Sequence, residues 1–72
     1  MNILVFKTNI ADAKHVKKVS PYIKEIDGIQ KWNIDLHDVD KVLRVVVADD
    51  LAASYIEFVV QNAGYFCSEL QD

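Results

Sequence analysis

The chain has 72 residues, of which 51% are hydrophobic and 26% charged, with a formal net charge of −3. A chain of that length forms one domain, taken as residues 1–72, and its apolar share is enough for a compact core. The acidic balance, with a pI near 5.2, speaks against bulk binding to nucleic acid or to an anionic membrane surface.

A single cysteine, Cys67, rules out an internal disulfide and fits a reducing, intracellular setting. The apolar run Ile3–Phe6 is too short for a signal peptide or a membrane span, so the expected location is the cytoplasm.

Residues 2–7 predict the first strand. Four consecutive apolar residues, Ile3 to Phe6, suit a central strand covered on both faces. The stretch KTNIADAKH, residues 7–15, joins this strand to a helix expected over 12–26. Val16, Val19, Ile23 and Ile26 form the helix's apolar stripe, while Lys14, Lys17, Lys18 and Lys24 lie off it. Asn9 or Asp12 can cap its start, where the helix dipole favours an acid. Gly28 can end it. Pro21 interrupts the pattern, because inside a helix it removes one hydrogen bond and clashes backward, at about 3 kcal/mol. The expectation is a kink near Val19, or a restart with Ser20 as cap and Pro21 in the first helical position.

Residues 30–36, QKWNIDL, alternate. Trp32, Ile34 and Leu36 share one face; Lys31, Asn33 and Asp35 share the other. The turn HDVD follows. Residues 41–48, KVLRVVVA, predict a third strand with Leu43, Val45 and Val47 facing the core. A second helix follows, capped by Asp49 or Asp50, with a stripe of Ala52, Ile56, Val59 and Ala63. Gly64 stops it, and YFCSEL, residues 65–70, predicts the last strand.

The order is β-α-β-β-α-β. Right-handed crossovers turn that order into a ferredoxin-like α+β sandwich: a four-stranded antiparallel sheet, order 4-1-3-2, with both helices on one face. Three connections then share one edge: the loop 8–12, the hairpin 37–40 and the corner at residues 63–65. Asn9, Asp12, His15, His37, Asp38 and Tyr65 are all expected at that end.

Five segments also carry a family resemblance: the strand ILVF, the helix end EIDGI, the segment WNIDL, the strand KVLRVVV, and IEFVVQNAGYFCSEL. Through them, nearly the whole chain resembles the heavy-metal-associated domain of copper chaperones and metal-transporting ATPases. The resemblance implies the same fold. It also implies a soft-metal site, Met-x-Cys-x-x-Cys, between the first strand and first helix. Aligned on that motif, Lys7 stands at the methionine, and Asn9 and Asp12 stand at the two cysteines.

Copper(I) takes soft thiolate or thioether ligands, and TNIAD offers only harder donors. A zinc or nickel site from Asn9, Asp12 and His15, with His37 from the hairpin, is the alternative chemistry. Against it, Asp12 is a helix-start acid, His15 a first-turn residue and His37 a turn residue. Cys67 sits in a strand and reads as a small core residue. A phosphatase of the acylphosphatase type would need a glycine-rich anion cradle with an arginine, but the loop has neither and Arg44 lies mid-strand. An RNA-recognition domain would need aromatic residues on its third strand, and KVLRVVVA has none.

No enzyme is therefore expected, and no cofactor. The expected function is a protein-interaction or regulatory module. Its docking face is the lysine cluster Lys14, Lys17 and Lys18, which suits an acidic partner protein. Chaperones of the resembled family use basic surfaces of the first helix in the same way. The helix-free sheet face, with Val42, Val46 and either Phe66 or Tyr65, offers a second contact, such as a homodimer. Neither nucleic acid nor membrane is expected as a partner.

Overall fold

The computed structural model describes residues 2–48 and 51–70. Its elements are β1 (Asn2–Thr8), α1 (Ala13–Lys24), β2 (Ile29–Asp35), β3 (Val42–Val47), α2 (Ala53–Asn62) and β4 (Cys67–Glu69). The strands form one antiparallel sheet in the order β2-β3-β1-β4. This is the ferredoxin-like sandwich that the sequence predicts. Among the described residues, no helix is long and apolar enough to cross a membrane.

The strand alternation decides which residues meet the helices. Phe6 pairs with Leu43 and Leu4 with Val45, and these residues form the helix-side face with Val47. Val19 and Ile23 from α1 and Ile56 and Val60 from α2 close over them, all without solvent exposure. β1 is central, but it is covered on one face only. Ile3, paired with Val46 on the other face, is 65% exposed. The unbroken apolar run at Ile3–Phe6 therefore marks a position between two strands, not burial on both sides.

Asp12 is the N-cap of α1. Its backbone is extended, and its Oδ1 accepts the His15 N–H at 3.1 Å. Such a cap is worth about 1 kcal/mol. α1 then runs unbroken through Pro21, so there is no restart at Ser20. The magnitudes explain why. Burying Val19 and Ile23 stabilises the packed helix by about 1.5–3 kcal/mol each, against about 3 kcal/mol for the proline. Ile26 completes the stripe from beyond the helix end, 5% exposed, with its N–H on the Ile23 carbonyl.

α2 begins at Ala52, which makes no side-chain capping bond. The expected caps Asp49 and Asp50 lie outside the described residues. Its buried positions are Ile56 and Val60, four apart, while Val59 and Ala63 are only partly buried and Ala52 is exposed. The stripe is thus rotated from the expected one. Gly64, at φ +98, ends the helix. Its N–H bonds the Gln61 carbonyl and the Tyr65 N–H bonds the Val60 carbonyl. This doubly bonded turn turns the chain back sharply and aims Tyr65 at the core.

β4 is shorter than expected. Tyr65 and Phe66 precede it, Phe66 half exposed and Tyr65 packed on the core. Val42, expected on the open face, is only 5% exposed. The open face is thus apolar mainly at Ile3, Val5 and Val46, and Lys7 and Arg44 break it up.

Cys67 is 1% exposed and pairs with Thr8 in the sheet. Burial, and secondarily the charge of Glu57, push its thiol up to about 12. The proton is therefore held in the folded state across the range in which an unfolded thiol ionises.

Pro21→Ala restores a helix hydrogen bond without touching the stripe. Chemical denaturation should show a gain of about 1–3 kcal/mol, and a loss would contradict the continuous-helix account. For Cys67, reaction with a disulfide reagent at pH 8 should proceed at the rate of unfolding. Stability should also fall as the pH rises above the ordinary thiol value, because only the unfolded chain releases the proton there. Rapid labelling of the native protein would show that the thiol is accessible.

Candidate functional site

The loop after β1 is held by a buried hydroxyl. Thr8 is 4% exposed. Its Oγ1 donates to the Lys41 carbonyl at 2.6 Å and accepts the Ile10 N–H at 3.2 Å. The Thr8 N–H bonds the Asp40 carbonyl at 3.0 Å. The β1 end is thereby tied to the β2–β3 hairpin, and Ile10 is seated in the core without exposure.

The polar side chains of this corner are occupied within the chain. Asn9 Oδ1 accepts the Phe66 N–H at 2.8 Å, joining the loop to the lead-in of β4. Asp12 caps α1 through His15. His15 Nδ1 hydrogen-bonds the Tyr65 hydroxyl at 2.9 Å. The two rings meet edge to face, 5.6 Å apart and 80° between planes. Asn9, His15 and Tyr65 do gather at the predicted end.

The hairpin keeps to itself. The His37 N–H bonds Asp35 Oδ1, and the Asp40 N–H bonds Asp38 Oδ1. Lys41 takes a positive φ of 46, and its Nζ reaches the Leu36 carbonyl at 2.7 Å. Lys7 and Asp40 form a solvated ion pair at 3.6 Å, worth at most about 1 kcal/mol.

Among the described residues, no three His, Cys, Asp or Glu side chains group closely enough to hold a metal ion. Asp12, His15 and His37, which the alternative metal reading groups with Asn9, therefore belong to no such group. The reason is physical: two of them serve a helix start, and the third sits in a hairpin turn closed by its own bonds.

Sequence reasoning missed Thr8 and Ile10. A lone threonine at a strand end carries no marker of burial. Its signal was Ile10, an apolar residue in a polar loop, which needs an anchor to turn inward.

Lys14, Lys17 and Lys18 are exposed on the side of α1 away from Val19 and Ile23. Among the described residues, the single ion pair is Lys7–Asp40, and none involves these three ammonium groups.

No family model matches the chain, and no curated protein matches it in sequence. Solved structures do match in shape. The yeast copper transporter domain Ccc2a superposes with a TM-score of 0.83 at 16% identity, over 100% of this chain and 99% of that one. A chain from the Atx1–Cu(I)–Ccc2a complex gives 0.81 at 16% identity, over 100% and 99%. The N-terminal domain of PacS from Synechocystis PCC6803 gives 0.81 at 14% identity, over 99% and 100%. At these identities the likeness concerns the fold: the chain has the ferredoxin-like fold of heavy-metal-associated domains.

Proposed function

We propose that this domain is a non-enzymatic, cytoplasmic interaction or regulatory module that docks an acidic surface of another protein on the outer face of α1. The observation that carries this is the set of three exposed lysines on one helix face, Lys14, Lys17 and Lys18. They lie opposite the buried stripe, so a partner can engage them without disturbing the core. Opposite charge across such a contact mainly speeds association and makes it salt-sensitive. The Atx1–Cu(I)–Ccc2a complex supports the reading, since there too a domain of this shape takes part in a protein complex.

Copper(I) itself does not fit the residues present. Lys7, Asn9 and Asp12 supply no sulfur, Asn9 and Asp12 are already bonded within the chain, and the one thiol is buried in β4 with its proton held. A zinc or nickel site at Asn9, Asp12, His15 and His37 would have to break the cap and the His15–Tyr65 bond, then draw the hairpin across. Contact without metal asks for none of these changes.

Two tests apply. In competition with a copper(I) chelator, the purified domain should capture no stoichiometric metal; tight one-to-one binding would defeat the proposal. Lys14→Glu with Lys18→Glu should leave the denaturation midpoint nearly unchanged, and should weaken capture of a partner from its own cells' lysate roughly tenfold or more. If the double reversal has no effect while Val46→Asp abolishes capture, the interface is the open sheet face, a homodimer contact included.

A further inference from the structure

The sheet ends in a strand with a free side. β2 has β3 on one side and, among the described residues, no strand on the other. No backbone hydrogen bond outside the β2–β3 ladder involves residues 30–34 among the described residues. The amides and carbonyls that point away from β3 are therefore open to a further strand.

Two depressions flank this edge, one on each face of the sheet, and Lys31 and Trp32 line both. The helix-side depression, about 340 Å³, is lined by the apolar Ile23, Ile26 and Ile29 together with Lys24, Gln30 and Lys31. The open-face depression, about 250 Å³, is lined by Ile3 and Val46 together with Lys31, Asn33 and Arg44. Neither lining holds a carboxylate. Lys31 sits opposite Val46, and Arg44 opposite Asn33, so the two cations are diagonal neighbours.

A strand laid along β2 would send alternate side chains to the two faces. On one face they meet Ile23, Ile26, Ile29 and Trp32; on the other they meet Lys31 and Arg44. We infer that β2 accepts an extended segment of another protein as an added strand, with apolar residues on the helix side alternating with Asp or Glu on the open side. Ladder hydrogen bonds supply affinity, and the two depressions supply selectivity.

Lys31 and the irregularity between Ile29 and Lys31 are features that usually discourage edge pairing. An apolar or basic strand leaves the Lys31 charge uncompensated, whereas an acidic strand neutralises it. The device thus selects the sign of the partner. A second copy of this chain fits less well: paired antiparallel about Asn33 it sets Asp35 across from Lys31, but it also brings its own Lys31 and Arg44, so the open side of the seam keeps an excess of cations. This edge is separate from the outer face of α1, and the inference does not rest on the docking assigned there.

The probe is a blocked seven-residue peptide alternating valine with glutamate, titrated into the isotope-labelled domain. Amide shifts should concentrate at residues 29–35, with a change at the Trp32 indole. Lys31→Glu with Arg44→Glu, both at exposed positions, should keep a folded spectrum and bind roughly tenfold more weakly. A peptide with lysine for glutamate should bind weakly, and N-methylation of alternate peptide amides should abolish binding. The inference is overturned by the absence of shifts at millimolar peptide, or by shifts confined to Lys14–Lys18. Equal binding of the lysine or N-methylated peptide overturns it too, as does self-association of the domain alone through β2.

Discussion

A single buried hydroxyl organises the end of the molecule where three connections meet. Thr8 Oγ1 holds the Lys41 carbonyl on one side and the Ile10 N–H on the other. A buried hydroxyl without partners costs about 1–3 kcal/mol, so both bonds must persist for the corner to exist. With them in place, the loop turns inward at Ile10 and α1 starts at Asp12. The hairpin is fixed against β1 by the adjacent Thr8 N–H. Asn9 and His15 then reach Phe66 and Tyr65 from positions that Thr8 has set.

That arrangement also explains the chemistry of the corner. A metal-carrying loop needs donors that are exposed and free to rotate. Here the Asp12 carboxylate caps its own helix, while the amide of Asn9 and one nitrogen of His15 hydrogen-bond the residues that lead into β4. Asn9, Asp12 and His15 are part of the scaffold, while exposed positive charge lies on the outer side of α1. In the proposed reading, a hydrogen-bonded corner beside an exposed set of lysines suits recognition of a surface better than transfer of an ion.

Much of this was legible in the residues. The alternation of Trp32 and Ile34, the β-branched strand around Val45, and the glycines at 28 and 64 are local signals, and together they specify the sheet order. The stripe of α1 was readable because Val16, Val19 and Ile23 keep helical spacing around Pro21. Other features depend on partners distant in sequence. Whether Pro21 breaks a helix is decided by burial of Val19 and Ile23 against the sheet. Val42 is nearly buried although strand alternation sends it to the open face. The rotated stripe of α2 follows from where Ile56 and Val60 meet that sheet. The bonds Asn9–Phe66 and His15–Tyr65 span 57 and 50 residues, and no spacing rule encodes them.

The sealed environment of Cys67 has a bearing on where such a domain can work. Attack on a disulfide requires an ionised sulfur with an open approach. Cys67 has neither while the chain is folded. While the chain is folded, Cys67 is thus withheld from mixed disulfides, from a covalent dimer and from peroxide, and exchange has to wait for unfolding. A lone cysteine, which in the sequence suggests a reducing compartment, is in this fold compatible with oxidising surroundings as well.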